Sequence, residues 1–238
     1  MATYVISDVH GRYDKFTEML DIIDLKDDDT LYILGDVLDR GPEPIKVILK
    51  IMEMPNVIML RGNHEEMAMK CLPTLVEELT ESMISSLNDI FINDFMIWTT
   101  NGNQPTLDGF YVLDKDTKNK VLEYIGSTIL YKSLTVGGNE YLLVHAGLGN
   151  FSPDKLMEEY TVNELVWDRA DYEKQYFDDK FLVTGHTPTQ TIDCCENPGY
   201  IYRSKNHIAI DCGACFKTGR LAAICLDTGE EFYTSETE

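Results

Sequence analysis

Four of the five histidines in this chain, His10, His64, His145 and His186, each follow a short apolar run, in company with Asp8, Asp36 and Asn63. A single histidine is more often a satisfied core residue. Four at the ends of separate apolar runs point to metal ligation. Carboxylate, imidazole and amide without thiolate suit Mn²⁺, Fe or Zn²⁺ better than Ca²⁺ or copper. The set is large enough for two ions, and a pair ~3.5–4 Å apart needs a bridging anion, which one aspartate can supply. Two cations acting together lower the pKa of a shared water and bind the oxygens of a phosphoryl group. Just past Asp36 stand Asp39 and Arg40, a second carboxylate and a planar cationic fork. They suit proton handling and anion binding.

These residues need a rigid frame, and the apolar runs before them supply it. Thr3–Ile6, Leu31–Leu34 and Val57–Leu60 have the length of buried strands. They end at Asp8, Asp36 and Asn63, the loop positions where α/β proteins place chemistry. Between them, Phe16, Met19, Leu20 and Ile23 recur at helical spacing, as do Ile45, Ile48, Leu49 and Met52 behind Pro42 and Pro44. The order β-α-β-α-β predicts parallel strands covered by helices. A helical insert is expected over about 65–98, and a further helix over Thr117–Ile125. Ile129–Val136 and Glu140–Val144 read as a hairpin around Gly137-Gly138-Asn139, leading to His145. Pro153–Tyr160 is expected to be helical, and Glu164–Arg169 a loop or strand. Strands are expected at Phe181–Thr184, before His186, and at His207–Ile210, followed by a closing hairpin, Leu221–Leu226 with Glu231–Tyr233. No repeat or composition break divides residues 1–238, so one domain is expected.

The charge narrows the partners. With 20 Lys+Arg against 41 Asp+Glu, the net charge of −21 disfavours nucleic acid and anionic membrane. No apolar run approaches the ~18 residues of a membrane span. Six cysteines without a secretory signal suggest free thiols in a reducing, cytoplasmic setting. Cys194, Cys195, Cys212 and Cys215 could form a thiolate zinc site, but their spacing fits buried small residues better.

Taken together, Asp8-Val-His10-Gly11, Gly35-Asp-Val-Leu-Asp-Arg-Gly41, Gly62-Asn-His-Glu65, His145-Ala-Gly147 and Gly185-His186 resemble the signature blocks of the calcineurin-like metallophosphoesterases. More narrowly they resemble the phosphoprotein phosphatase family in its compact bacterial and phage branch. Ile210-Asp-Cys-Gly213 is similar to that branch's closing strand. The resemblance implies an α/β sandwich of two mixed β-sheets flanked by helices. It implies that Asp8 and His10 hold one metal, Asp36 bridges two, and Asn63, His145 and His186 hold the second. His64 would be the general acid, oriented by Asp39, while Arg40 and Arg169 would bind phosphate. Hydroxide on two divalent ions, Mn²⁺ foremost, would attack phosphorus in line. The substrate would be a phosphoprotein or phosphopeptide, as in a serine/threonine phosphatase. Two departures stand out: Ser7 where the family usually has glycine, and the Cys212–Cys215 turn.

The nearest competing reading is symmetrical diadenosine tetraphosphate hydrolysis, by a related group that usually lacks the second aspartate and has GNHD. Asp39 and Glu65 favour the phosphatase. A catalytically silent binding module would have lost ligands, and none is missing here.

Overall fold

Apolar runs without polar alternation form strands that are buried on both faces, and two such sheets stack here. The computed structural model describes residues 1–77, 80, 85 and 87–238, so part of the expected insert lies outside the described residues. The first sheet has the order β10-β9-β1-β2-β3, and the second β4-β5-β6-β8-β7. In the first, β1 (Thr3–Ile6), β2 (Thr30–Ile33) and β3 (Val57–Met59) are parallel. The antiparallel strands β9 (Ala222–Cys225) and β10 (Glu231–Tyr233) close that sheet beside β1. In the second, β4 (Tyr131–Val136) and β5 (Asn139–Val144) form the expected hairpin. Strand β5 runs parallel to β6 (Lys180–Thr184), and β6 to β8 (His207–Ala209).

Side-chain alternation assigns the layers. Val5, Tyr32 and Leu34 meet Tyr141, Leu143, Val183 and Ile208 between the sheets. Their neighbours Ile6, Leu31 and Ile33 turn outward to pack on α1 (Tyr13–Ile23) and α2 (Pro44–Met52), through Phe16, Met19, Ile45 and Ile48. Leu142, Val144 and Leu182 face a third cluster, with Leu165 and Val166. The expected two-sheet sandwich with outer helices is therefore the fold.

The helical side is built further by α3 (Asn63–Cys71), α4 (Asp89–Thr100), α5 (Gln104–Tyr111) and α6 (Lys115–Gly126). Three local expectations are corrected. Pro153–Tyr160 forms only a 3₁₀ turn at Met157–Glu159, where Glu159 folds back to accept from the Leu156 N–H and closes a single turn. Glu164–Arg169 is neither loop nor strand at its start, because Val162–Val166 is a short helix, α7. Thr161 and Glu164 cap it reciprocally, each accepting the other's backbone N–H. The edge strand β7 (Tyr202–Ser204), paired antiparallel to β8, was not expected. Among the described residues no helix is long and apolar enough to cross a membrane.

Candidate active site

Parallel strands deliver their carboxyl ends to one rim, and both sheets do so at the same place. Asp8 and His10 follow β1, Asp36 follows β2, and Asn63 opens α3 directly after β3. His145 follows β5, and His186 follows β6. The two aspartate loops run side by side beyond their strands: the Asp8 N–H donates to the Gly35 carbonyl at 3.1 Å, and His10 N–H to that of Asp36 at 2.9 Å. Asp8, His10, Asp36, Asp39, Arg40 and His186 all have positive φ, between 44° and 67°. Six non-glycine residues in the left-handed region within one site are strained backbone, of the kind that functional loops retain. Two glycines make room. A Cβ on Gly62 would stand 2.1 Å from Asp36 Oδ1, and one on Gly185 2.3 Å from Asp8 Oδ2.

Asp36 is the hub. Its Oδ2 lies 3.4 Å from His145 Nε2, 3.6 Å from His10 Nε2 and 3.9 Å from His64 Nε2. Asn63 Oδ1 lies 3.1 Å from His145 Nε2 and 2.9 Å from His186 Nδ1. Asp8 Oδ1 is 4.0 Å from His10 Nε2. Asp8 Oδ2 accepts from the Ser7 hydroxyl and from the His186 N–H. Thus Ser7, the family departure, supports a ligand candidate. All six sequence-predicted ligand candidates converge.

The donor set fits a metal. The Nδ1 atoms of His10 and His145 face the Leu38 and Leu34 carbonyls at 2.9 and 2.7 Å. A carbonyl only accepts, so Nδ1 carries the proton and Nε2 presents its lone pair inward. At His145 that lone pair meets two further acceptors, Asp36 Oδ2 and Asn63 Oδ1. Acceptors so close require a cation or an added proton between them. Burial pulls the His145 pKa down, but Asp36 outweighs it and the pKa rises to about 9. Burial and the neighbouring His145 press His186 down to about 3. Among the described residues, the groupings able to hold an ion are His10–Asp36–His64 and Asp36–His145–His186, both built on Asp36.

His64 has a different partner. Its Nδ1 is 2.6 Å from Asp39 Oδ2, and both side chains are fully buried. Asp39 also accepts from Trp98 Nε1 at 2.7 Å and from Thr106 Oγ1 at 2.5 Å. Burial lowers the His64 pKa, yet Asp36 and Asp39 raise it above the ordinary value. Arg40 reaches inward, with Nη1 2.7 Å from His10 Nε2 and Nη2 3.0 Å from His64 Nε2. Arg169 shares with Arg40 the wall of a cavity of about 300 Å³, lined also by Asn63, Trp167, His186 and Phe216. Burial pushes the Cys215 thiol up to about 11 despite Arg40, which disfavours its thiolate.

Glu65 has a role that its sequence position did not disclose. It is wholly buried, and its carboxylate accepts from the backbone N–H groups of Asp36, Val37, Leu38 and Gly62 at 2.7–3.2 Å. Burial and the charge of Asp36 raise its pKa to about 7, against the amide donors that favour the ionised form. Glu65→Gln is expected to turn an amide NH₂ toward two of those donors. The cost is about 3 kcal/mol, from donors left unpaired, and thermal unfolding should show it as a Tm several degrees lower. An unchanged Tm would mean that the loop holds itself.

Buried carboxylates and imidazoles converging at the rim of a two-sheet sandwich define a metallohydrolase site. The model of the calcineurin-like phosphoesterases matches residues 1–218, and the chain belongs to that family, whose members use divalent metals. Among curated proteins, it is 40% identical over 67 residues to the symmetrical bis(5'-nucleosyl)-tetraphosphatase of Wigglesworthia glossinidia brevipalpis, over 27% of this chain and 25% of that one. It is 29% identical over 150 residues to the enzyme of the same name from Nitrosospira multiformis, over 62% of this chain and 44% of that one. The matches thus span less than half the length of these relatives. Among solved structures, a candidate diadenosine tetraphosphatase superposes with a TM-score of 0.67 at 14% identity, covering 99% of this chain and 94% of that one. A protein serine/threonine phosphatase from Saccharomyces cerevisiae gives 0.54 at 16%, covering 100% and 81%. At these identities the likeness is one of fold.

Proposed function

We propose that this phosphoesterase hydrolyses phosphate monoesters with an alkoxide leaving group, as in phosphoserine or phosphothreonine, in the manner of the compact phosphoprotein phosphatases. The observation that carries this is the buried His64–Asp39 pair, 2.6 Å apart, with Asp39 clamped by Trp98 and Thr106. An alkoxide leaves poorly unless it is protonated, and a positioned general acid contributes ~10²–10⁴ in rate. Asp39 accepts from His64 Nδ1–H and would stabilise the imidazolium, whose Nε2, now facing Arg40 Nη2 at 3.0 Å, would carry the proton to be donated. Asp8, His10 and Asp36 would hold one divalent ion, and Asp36, Asn63, His145 and His186 a second, manganese foremost, with iron or zinc also suited. When bound, the ions supply positive charge against phosphoryl oxygens and a more acidic water. Arg40 and Arg169, which line one cavity, would bind the remaining oxygens as planar forks.

A second reading has a specific observation behind it. Both curated relatives are named for symmetrical cleavage of dinucleoside tetraphosphates, and these names favour that substrate over a phosphoprotein. That reaction expels a nucleoside diphosphate, which leaves as a weakly basic phosphate and gains little from His64. A panel of phosphoserine, phosphothreonine and phosphotyrosine peptides against diadenosine tetraphosphate, with Mn²⁺ added, separates the two. The alkoxide reading expects a kcat/KM for phosphoserine or phosphothreonine at least ~10-fold above that for the dinucleotide. The reverse order would establish the second reading.

A further inference from the structure

The cavity of about 300 Å³ lined by Arg40 and Arg169 is larger than a phosphate needs. At ~30 Å³ per water in the liquid it would take about ten waters, so a phosphoryl group leaves room beside it. Two aromatic rings, Trp167 and Phe216, line the same cavity. Of the nine phenylalanines, Phe216 is the one that stands exposed, at 43%. Of the two tryptophans, Trp98 is sealed and Trp167 is partly exposed. Single apolar side chains scattered over a surface need no explanation. Two large rings sharing one concave site with two arginines are the mixture that recognises a ligand.

Neither ring is loosely held. Trp167 closes α7, its N–H donating to the Asn163 carbonyl at 3.0 Å, and its ring stands edge-on to His186. Phe216 belongs to a turn of residues 213–219. Its N–H donates to the Gly213 carbonyl at 2.8 Å, and its carbonyl accepts from the Gly219 N–H at 2.9 Å. Thr237 ties this turn down from outside. The Thr218 N–H donates to the Thr237 carbonyl and the Thr237 N–H to that of Gly219, both at 2.8 Å, while Thr237 Oγ1 donates to the Ala214 carbonyl at 2.7 Å. A Cβ on Gly213 would stand 3.0 Å from Phe216 Cδ2, so the ring rests against the backbone of its own turn. Rings presented on ordered backbone lose little entropy when a partner covers them.

The polar lining narrows the partner. Asn101 Nδ2 donates to the Ile97 carbonyl and Thr191 Oγ1 to that of Pro188, both at 2.8 Å. With these donors turned to the main chain, the space beside the arginines suits a hydrocarbon ring better than the polar edge of a base.

We propose that Trp167 and Phe216 receive an aromatic side chain immediately next to the phosphorylated residue of a peptide substrate. The arginines take the phosphate and the two rings cover the neighbouring ring. This inference rests on the alkoxide reading of the active site and assigns its substrate class.

The test uses phosphoserine peptides, with Mn²⁺ added, in which the residue just before or just after phosphoserine is phenylalanine, leucine or alanine. One step along the chain is ~3.8 Å, which brings such a ring within reach of the cavity that takes the phosphate. The expected kcat/KM for phenylalanine at one of the two positions is ~10-fold above alanine and about threefold above leucine, because a ring gains from burial and again from contact with other rings. The preference should hold as salt rises, since it involves no charge to screen. In Phe216→Ala, and separately in Trp167→Leu, the phenylalanine-to-alanine ratio is expected to fall to about twofold or less. The readout is the ratio, so a general loss of activity in a variant does not imitate it. Peptides cleaved with no preference for phenylalanine, or with leucine equal to it, overturn the assignment and leave the alkoxide reading standing. A preference that either variant retains also overturns it. Peptides left intact while diadenosine tetraphosphate is cleaved overturn both.

Discussion

Asp36→Asn is expected to remove metal and activity together. The carboxylate stands among three imidazoles, with Oδ2 3.4–3.9 Å from His145, His10 and His64. Its charge is the one feature common to both ligand groupings. Asparagine preserves the shape and tolerates the positive φ of 55° at this position. The fold should therefore survive, with an unchanged far-ultraviolet circular dichroism spectrum. Bound manganese per chain should drop by roughly half or more, because one bridging anion serves two ions. Turnover should drop ~10³-fold or more, since charge stabilisation by such ions is worth several kcal/mol. Metal analysis on dialysed protein is the decisive measurement. Full metal content in an inactive variant would remove Asp36 from the ligand set.

His64→Asn is the second large effect, and its size should depend on the substrate. On a phosphoserine peptide the loss should be ~10²–10⁴, the range for a missing general acid. On p-nitrophenyl phosphate, whose leaving group hardly needs a proton, it should be within about tenfold. Asp39→Asn should follow the same split. An asparagine amide facing His64 Nδ1 can favour the wrong tautomer, as in triads where the aspartate is replaced. Equal losses on both substrates would argue against the acid and would suit His64 as a further metal ligand, a role its place in one grouping allows.

The candidate rim was legible because each ligand candidate stands just after a run of residues buried on both faces. Leu31–Leu34 alternates between the two cores, so a continuous apolar stretch marked the strand, and the first polar residues marked its end. What supports those residues was less visible. Trp98 and Thr106 reach Asp39 across 59 and 67 residues of chain, and no local pattern encodes such a partnership. Glu65 served in the sequence only to favour one related group over another, and only the three-dimensional path of residues 36–38 shows it to be their clamp. Helix α7 was different: Thr161 and Glu164 carried a capping-box signature in the sequence itself. The short edge strand β7, with three residues and little burial, offered no periodicity to read.

The chain has two tryptophans, and both sit at the rim. Trp98 is sealed against Asp39, while the Trp167 ring lies edge-on to His186 with centroids 6.4 Å apart. One indole is therefore dry, beside the Asp39–His64 pair, and the other partly wet, beside the ligand candidate His186. Emission excited selectively from tryptophan, sparing the 13 tyrosines, thus comes from the neighbourhood of the candidate site. Its colour and intensity provide a built-in optical gauge of what occupies that neighbourhood.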